Sequence, residues 1–372
     1  MAATGAFAQS SVTLWGIADA GIQSAKQSGI SKTQLTSSGL SSSQLGFRGT
    51  EDLGGGMTAG FWFEAGLSID GAGGNADVGY GTTAKPAAGA GSTVTFSRRQ
   101  TLDLSTSYGA FRLGRDYTPT FWNHTVFDPF GTLGSGAGSN ITGKGQNNTT
   151  GARTSNGISY LYGFAPNAGS SLGSGLYAQF TLAFGEQLSS ATSKTGEYTG
   201  MRVGYADGPL NVAFSTGGVV SSASNVAEVK DKETNFGGSY NLGVATLMAK
   251  YGTNTLGTAV AVGTTNAGAQ PATAAAKYTW TSIGATVPLG NGYLPVSYNS
   301  GKNDANAQKG SQLAVGYVYN LSKRTNLYTT YSKLTNSNGA TYGYNGGNGG
   351  FASGLPATGN GTAYDFGIRH SF

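Results

Sequence analysis

The sequence predicts an all-β fold, a 16-stranded antiparallel transmembrane β-barrel, on three observations. Apolar and polar residues alternate with a period of two along most of the chain, which indicates strands with one apolar face. No segment carries the roughly 20 consecutive apolar residues of a membrane-spanning helix. Short turns alternate with long loops, which is typical of a barrel whose two rims differ. With 63 glycines and 10% charged residues among 372, the composition suits a thin two-faced wall.

The alternation is clearest in the first predicted strand. Its even-numbered residues from Val12 to Ile22 are apolar or small, and Thr13, Trp15 and Asp19 occupy the opposite face. In a membrane barrel the apolar row faces lipid and the other row faces the lumen. A tilted strand needs roughly 9 to 11 residues to cross a bilayer, and most of the alternating segments are close to this length. The sixteen predicted strands are 11–22, 41–50, 57–66, 94–106, 109–116, 156–164, 175–185, 197–206, 209–217, 232–241, 244–252, 278–287, 292–300, 311–320, 325–334 and 362–372.

The connections between these segments alternate in length. A soluble β-sandwich, the alternative fold, does not explain why all the long loops fall on one side. A membrane barrel does, because its short turns lie at the periplasmic rim and its long loops at the outer rim. The short connections are 51–56, 107–108, 207–208, 242–243, 288–291 and 321–324, and the long ones are 23–40, 67–93, 117–155, 186–196, 218–231, 253–277, 301–310 and 335–361.

Several stretches of the chain carry a family resemblance. They read SSVTLWGIADAGI and LGFRGTEDLGGGMTAGFW near the start, RRQTLDLS and YGAFRLGRD further on, and NLSKRTNLYTTYSKL and GIRHSF near the end. In this order they resemble the general porins of β-proteobacteria, the family that includes the Comamonas-type and neisserial trimeric porins. The resemblance implies a homotrimer in the bacterial outer membrane, with the third long loop folded into each lumen. It implies a water-filled channel for passive diffusion of small hydrophilic solutes and ions, and no enzyme activity.

The same resemblance implies the partners of the chain. An outer-membrane channel contacts lipopolysaccharide and outer-membrane lipid, and barrel-insertion machinery places it there. The chain ends on Phe372 after an alternating row of apolar residues, which looks like the signal that this machinery reads. The lysines and arginines are scattered singly, which argues against nucleic acid. Two histidines and no cysteine argue against a transition-metal site, and no cofactor is expected.

The first residues predict a processing segment. Residues 1–8 end in Ala6, Phe7 and Ala8, a small-residue pattern typical of a signal-peptide cleavage site. We therefore expect residues 1–8 to be the tail of a signal peptide and residues 9–372 to form the barrel. An ordinary flexible N-terminus is the alternative.

Strand parity predicts which charged side chains face the lumen. Where Phe47, Leu102 or Phe111 faces lipid, the adjacent residues of the same strand face water. Inward arginines then outnumber inward carboxylates, and a few fixed charges in a narrow pore dominate its ion selectivity. The predicted basic wall consists of Arg48, Arg99, Arg112 and Arg153, and the other predicted lumen residues are Gln44, Glu64, Asp103, Arg202 and Arg369.

The third long loop supplies the predicted constriction. Four aromatic residues are expected to pin this loop to the wall, namely Phe121, Trp122, Phe127 and Phe130. Asp116 and Asp128 are expected to set negative charge opposite the arginines. Histidine is the side chain whose charge changes near neutral pH, so that His124 could tune this charge, although a lone histidine is more often structural.

The strength of the ion preference depends on how these charges are paired. Related anion-selective porins carry an arginine where Gln44 aligns, so that the resemblance implies only a weak to moderate preference for anions. Each arginine could instead be paired with a carboxylate such as Glu64 or Asp103, as a structural ion pair. Arg98, next to Arg99, is expected to point outward or towards the trimer contact.

A second function stays open at this point. The aromatic residues Trp15, Trp62 and Tyr177 are predicted to face the lumen, where they could guide aromatic acids or sugars. The alternative to a general porin is therefore a substrate-specific outer-membrane channel for small organic anions or aromatic acids.

Overall fold

The computed structural model describes residues 11–69, 95–142, 151–165, 172–187, 194–224, 227–257, 276–344, 355 and 358–372. The predicted signal-peptide tail, 1–8, lies outside these ranges. Seventeen strands and two short helices occur within them. The strands are β1 (Ser11–Gln27), β2 (Ile30–Ser37), β3 (Gln44–Gly54), β4 (Met57–Gly66), β5 (Arg99–Thr106), β6 (Gly109–Tyr117), β7 (Arg153–Tyr162), β8 (Gly175–Ala183), β9 (Tyr198–Asp207), β10 (Leu210–Ser224), β11 (Ala227–Asn241), β12 (Thr246–Leu256), β13 (Ala276–Leu289), β14 (Gly292–Asn303), β15 (Lys309–Asn320), β16 (Thr325–Ser337) and β17 (Gly361–Ser371).

These strands form one closed antiparallel barrel. Each strand from β3 to β17 pairs with the next, and β17 pairs with β1, so that the sheet closes on itself. Strands β2 and β3 lie end to end along β1, because Ala20–Gln27 pairs with β2 and Ser11–Ile17 pairs with β3. Together they make the second of the barrel's 16 strands, and the predicted fold is confirmed. Closure leaves no strand edge unpaired in lipid, which a membrane sheet requires.

The two faces of the wall differ as the alternation predicts. On β1, Val12, Leu14 and Ile22 are exposed on the outer face, whereas Asp19 is fully buried on the inner face. On β8, Leu176 and the outward side chains that follow it are exposed in the same way. The exposed apolar rows form the surface that faces lipid, and the polar rows line the interior.

The outer parts of several strands extend further than the alternation predicts. Residues 23–40 and 218–231, predicted as loops, are largely hairpins, because β1 continues to Gln27 and β10 continues to Ser224. Their partners β2 and β11 satisfy the backbone groups beyond the bilayer, so that strand pairing does not end at the membrane surface.

The third long loop carries both helices, α1 (Pro119–Val126) and α2 (Ser139–Thr142). Helix α1 begins at a proline, whose fixed φ suits a first helical position. The loop contacts the inner faces of β8 to β11 through α1 and of β13 to β15 through α2. No helix in the described part of the chain is long and apolar enough to cross a membrane.

Candidate pore constriction

Helix α1 is attached to the inner wall by a buried polar network. Asn123 donates from Nδ2 to Asn235 Oδ1 on β11 at 2.8 Å, and it accepts from Arg202 Nε on β9 at 2.8 Å. All three side chains are buried. Buried polar groups of this kind are stable only when they are hydrogen-bonded, so that the network specifies where the helix lies.

Two buried polar contacts fix the end of α1 and the turn after it. His124 Nε2 lies 2.5 Å from Glu233 Oε1, and Lys250 Nζ lies 2.8 Å from Asp128 Oδ2. Lys250 also donates to the backbone oxygen of His124 at 2.8 Å. Asp128, predicted to set charge opposite the arginines, and His124, predicted to tune it, thus lie against β11 and β12, where Glu233 and Lys250 contact them.

The far part of the loop reaches β15 and β17. Ser135 donates its backbone N–H to Asp365 Oδ2 at 2.6 Å, and Gln312 Nε2 donates to Ser135 O at 2.5 Å. Gly134 has φ +67° at this contact, and a Cβ there would lie 2.4 Å from the backbone oxygen of Gly39. Only glycine meets both requirements. The loop is thus attached to the wall from β9 to β17.

Arginines and carboxylates line the other side of the barrel, on β3 to β7. Arg112 forms a bidentate pair with Asp103, at 2.8 and 2.7 Å, and contacts Asp116 at 2.7 Å. Arg99 lies 3.5 Å from the same Asp116. These four side chains are buried in the wall, so that the two arginines and two carboxylates neutralise one another.

A second charged group lies at the root of the loop. Arg98 Nε donates to Glu64 Oε1 at 2.6 Å. Arg98 and Arg153 both donate to the hydroxyl oxygen of Tyr117, at 2.8 and 2.7 Å. The Arg153 guanidinium also lies 4.2 Å from the centre of the Tyr117 ring. Tyr117 ends β6 and Arg153 begins β7, so that this contact joins the two ends of the third loop.

The loop's first aromatic residues pack at this root. Phe121 and Trp122 have ring centres 5.5 and 4.6 Å from that of Tyr117. Phe127, further along the loop, lies against Gly237 of β11, where a Cβ would come within 2.2 Å of its ring. Phe121 and Trp122 therefore contact the beginning of the loop, and Phe127 packs against the far wall.

Arg48 differs from its neighbours. Its side chain is exposed in the lumen and makes no ion pair with any described residue. Its guanidinium lies 5.1 Å from the centre of the Trp62 ring, and the Arg99 guanidinium lies 4.5 Å from the same ring. Attraction between a cation and an indole face holds both arginines near one side chain.

The charged side chains just described carry a net positive charge as a set. Five arginines and three carboxylates with the contacts described above give a formal net charge of +2 for this set. They are Arg48, Arg98, Arg99, Arg112 and Arg153, with Glu64, Asp103 and Asp116.

The chain matches the model of the Gram-negative porin family over residues 1–339. It is 36% identical to outer membrane porin protein 32 of Delftia acidovorans, with 100% of this chain and 97% of that protein covered. The chain belongs to the Gram-negative porin family. An outer membrane porin of Bordetella pertussis is 28% identical, with 88% of this porin and 90% of that protein covered. The structure of the anion-selective porin from Comamonas acidovorans superposes with a TM-score of 0.78 at 33% identity, covering 98% and 100% of the two chains.

These relatives confirm the predicted class of function and location. The protein is a porin of the bacterial outer membrane, a channel and not an enzyme. The porin's remaining predicted lumen residues make none of the charged contacts described above. Gln44 lies on β3 opposite Gly66, and Arg369 donates to Asn326 Oδ1 at 2.9 Å.

The structure corrects the predicted direction of one arginine side chain, and it adds one tyrosine to the charged site. Arg98 is expected from the sequence to point outward or towards the trimer contact, but its side chain is buried against Glu64. It precedes the first residue of β5, so that strand alternation does not determine its direction. Tyr117 was not singled out from the sequence. Its position beside Asp116 at the end of a strand was the only local signal, because its arginine partners come from two other segments.

Proposed function

We propose that this porin is a water-filled channel with a weak to moderate preference for anions. The observation that carries the proposal is the net positive charge of the side chains described above on β3 to β7, which face the side of the barrel where the third loop is attached. The basic residues that we assign to it are Arg48, Arg99, Arg112 and Arg153. The solutes are small hydrophilic molecules and ions, and the relative from Comamonas acidovorans, described as anion-selective, supports the sign of the preference.

Charge pairing keeps the expected preference modest. Arg99 and Arg112 face two buried carboxylates, and Arg98 faces Glu64. The excess charge then resides mainly on Arg48, while position 44 carries glutamine. Potentials of a few kT inside a low-dielectric pore suffice to select ions, so that a small excess still biases the current.

Removal of the Arg48 charge tests this assignment. In planar bilayers with unequal KCl on the two sides, we expect Arg48→Gln to lower the chloride-to-potassium permeability ratio about twofold, because one unpaired lumen charge is lost. Lys302→Gln is the matched control, since it removes an exposed cation that faces away from the lumen. A wild-type preference for potassium, or equal effects of the two substitutions, would refute the assignment.

We further propose that the porin assembles as a homotrimer, embedded in outer-membrane lipid and lipopolysaccharide, and that Phe372 is read by the barrel-insertion machinery.

Phe372 closes the barrel, with backbone hydrogen bonds of 3.0 and 3.1 Å to Gly16. We expect Phe372→Ala to reduce the amount of trimer in outer-membrane fractions severalfold, as measured by native mass spectrometry and quantitative blotting. Phe366→Ala is the control, because it removes an exposed ring from the same final strand. Equal yields for both variants would contradict this role.

A further inference from the structure

Arg48 belongs to a row of side chains that cross the lumen face of four strands. Thr13, Arg48, Trp62 and Thr101 are successive partners in the pairing of β1, β3, β4 and β5. The next row towards the outer rim starts with Trp15 and continues with Gly46. Arg48 therefore has an indole directly beside it and a second indole one row above.

The two indoles lie close together. The ring centres of Trp15 and Trp62 are 5.1 Å apart with an interplanar angle of 59°. Arg48 lies 5.1 Å from the Trp62 ring on the same lumen face. The Arg48 guanidinium and the Trp15 ring are thus at most about 10 Å apart, with Trp62 between them.

Gly46 lets the Trp15 ring lie along the wall. A Cβ at position 46 would come within 2.5 Å of the Trp15 ring, which occupies the space that a side chain would fill. The ring is partly exposed, whereas Trp62 is buried beneath its neighbours. Trp15 therefore offers an aromatic surface to the lumen beside a cation that has no carboxylate partner among the described residues.

The nearest carboxylate in the upper row is already neutralised. Glu64 accepts from Arg98 at 2.6 Å and from the indole N–H of Trp62 at 3.2 Å. Its charge is compensated by Arg98, so that a negative ligand at Arg48 meets little net repulsion from it.

From this arrangement, which rests on the proposed anion preference, we infer that Arg48, Trp62 and Trp15 form a binding site for aromatic carboxylates on the path through the lumen. The planar guanidinium fork of Arg48 takes the carboxylate in a bidentate pair. The aromatic ring of the ligand lies against Trp15 in an offset or edge-to-face contact. Trp62 holds Arg48 in place through its own ring. An inorganic anion uses only the first of these contacts, and an aliphatic acid lacks the aromatic one.

The test compares two acids of the same charge and nearly the same size. Benzoate and cyclohexanecarboxylate are added to single wild-type channels, and the concentration of each that halves the chloride current is measured. We expect the benzoate value to be about threefold to tenfold lower, which corresponds to one aromatic pair. We expect Trp15→Leu to abolish this difference and Trp15→Phe, which restores an aromatic face, to retain most of it. Arg48→Gln is expected to weaken block by both acids, and Lys302→Gln to weaken neither.

The KCl measurement on the same channels separates the two proposals. If the wild-type channel prefers chloride but benzoate blocks no better than cyclohexanecarboxylate, the aromatic site is refuted and the anion preference stands. A benzoate advantage that is unchanged in Trp15→Leu also refutes the site. If the wild-type channel prefers potassium, the proposed function fails and the site that rests on it fails with it.

Discussion

Arg112→Met is expected to destabilise the barrel by about 3 to 5 kcal/mol. Arg112 is buried and contacts both Asp103 and Asp116 at 2.7 Å. Its removal leaves two carboxylates in the wall whose remaining cationic partner among the described residues is Arg99, at 3.9 and 3.5 Å. Burying a charge without its partner is costly, because the lost hydration is no longer compensated. The measurement is the urea midpoint of unfolding in detergent or lipid, followed on an unheated gel.

An exposed ion pair supplies the control for this prediction. Lys302 lies 3.1 Å from Asp304, with 59% and 27% of the two side chains exposed. Pairs of this kind contribute about 0 to 1 kcal/mol, so that Lys302→Met should shift the midpoint little. Adding Asp103→Asn to Arg112→Met should recover part of the loss, since one unpaired charge disappears. An Arg112 variant as stable as the Lys302 variant would contradict the assigned network.

Lys250→Met is expected to loosen the third loop and raise the frequency of channel closures severalfold at a given voltage. Lys250 and Asp128 are fully buried where they meet, and Lys250 also holds the backbone of His124. Without the cation, Asp128 keeps only its backbone donors, from Phe130 and Gly138. A buried pair broken in this way costs about 3 to 5 kcal/mol. This cost favours conformations in which the loop leaves the inner wall and narrows the open part of the lumen.

Single-channel recordings measure the closures directly. Lys323→Gln is the control, because it removes an exposed lysine in the turn between β15 and β16. Asp128→Asn combined with Lys250→Met should lower the closure frequency again, since no unpaired charge remains. Closures as rare in Lys250→Met as in the wild type would show that this contact does not hold the loop.

The strands could be predicted because their signal is local. Each side chain on a strand alternates in direction with the next, so that a row such as Val12, Leu14 and Ile22 reveals the lipid face without knowledge of the partner strand. The outer ends of the strands could not be placed in this way. Beyond the bilayer both faces are polar, and the extension of β1 to Gln27 depends on pairing with β2.

The attachment of the third loop could not be read from the sequence. Asn123 and Asn235 are 112 positions apart, and Asp128 and Lys250 are 122 apart. No local pattern links such residues, because the partners come from distant segments that the closed barrel brings together. The aromatic residues of the loop can be predicted as anchors from their own apolar character. The polar anchors cannot, since each depends on a partner in a distant segment.

The charged wall shows both the use and the limit of strand parity. Parity places Arg99 and Asp103 on one face of β5, and they are buried together there. It does not apply to Arg98, which precedes the strand, or to the segment near Gly114, where the register of β6 against β7 shifts. Departures from the regular ladder therefore limit what the sequence can predict about individual charges.

The most direct test of the positive wall exploits the absence of cysteine from the chain. Arg48→Cys introduces one thiol, which water-soluble methanethiosulfonates carrying a positive or a negative charge can modify inside the open channel. We expect the substitution to lower the chloride preference in a KCl gradient, the cationic reagent to restore it, and the anionic reagent to lower it further. A zero-current potential that stays the same after both reagents would contradict the claim that Arg48 faces the water column and sets its selectivity.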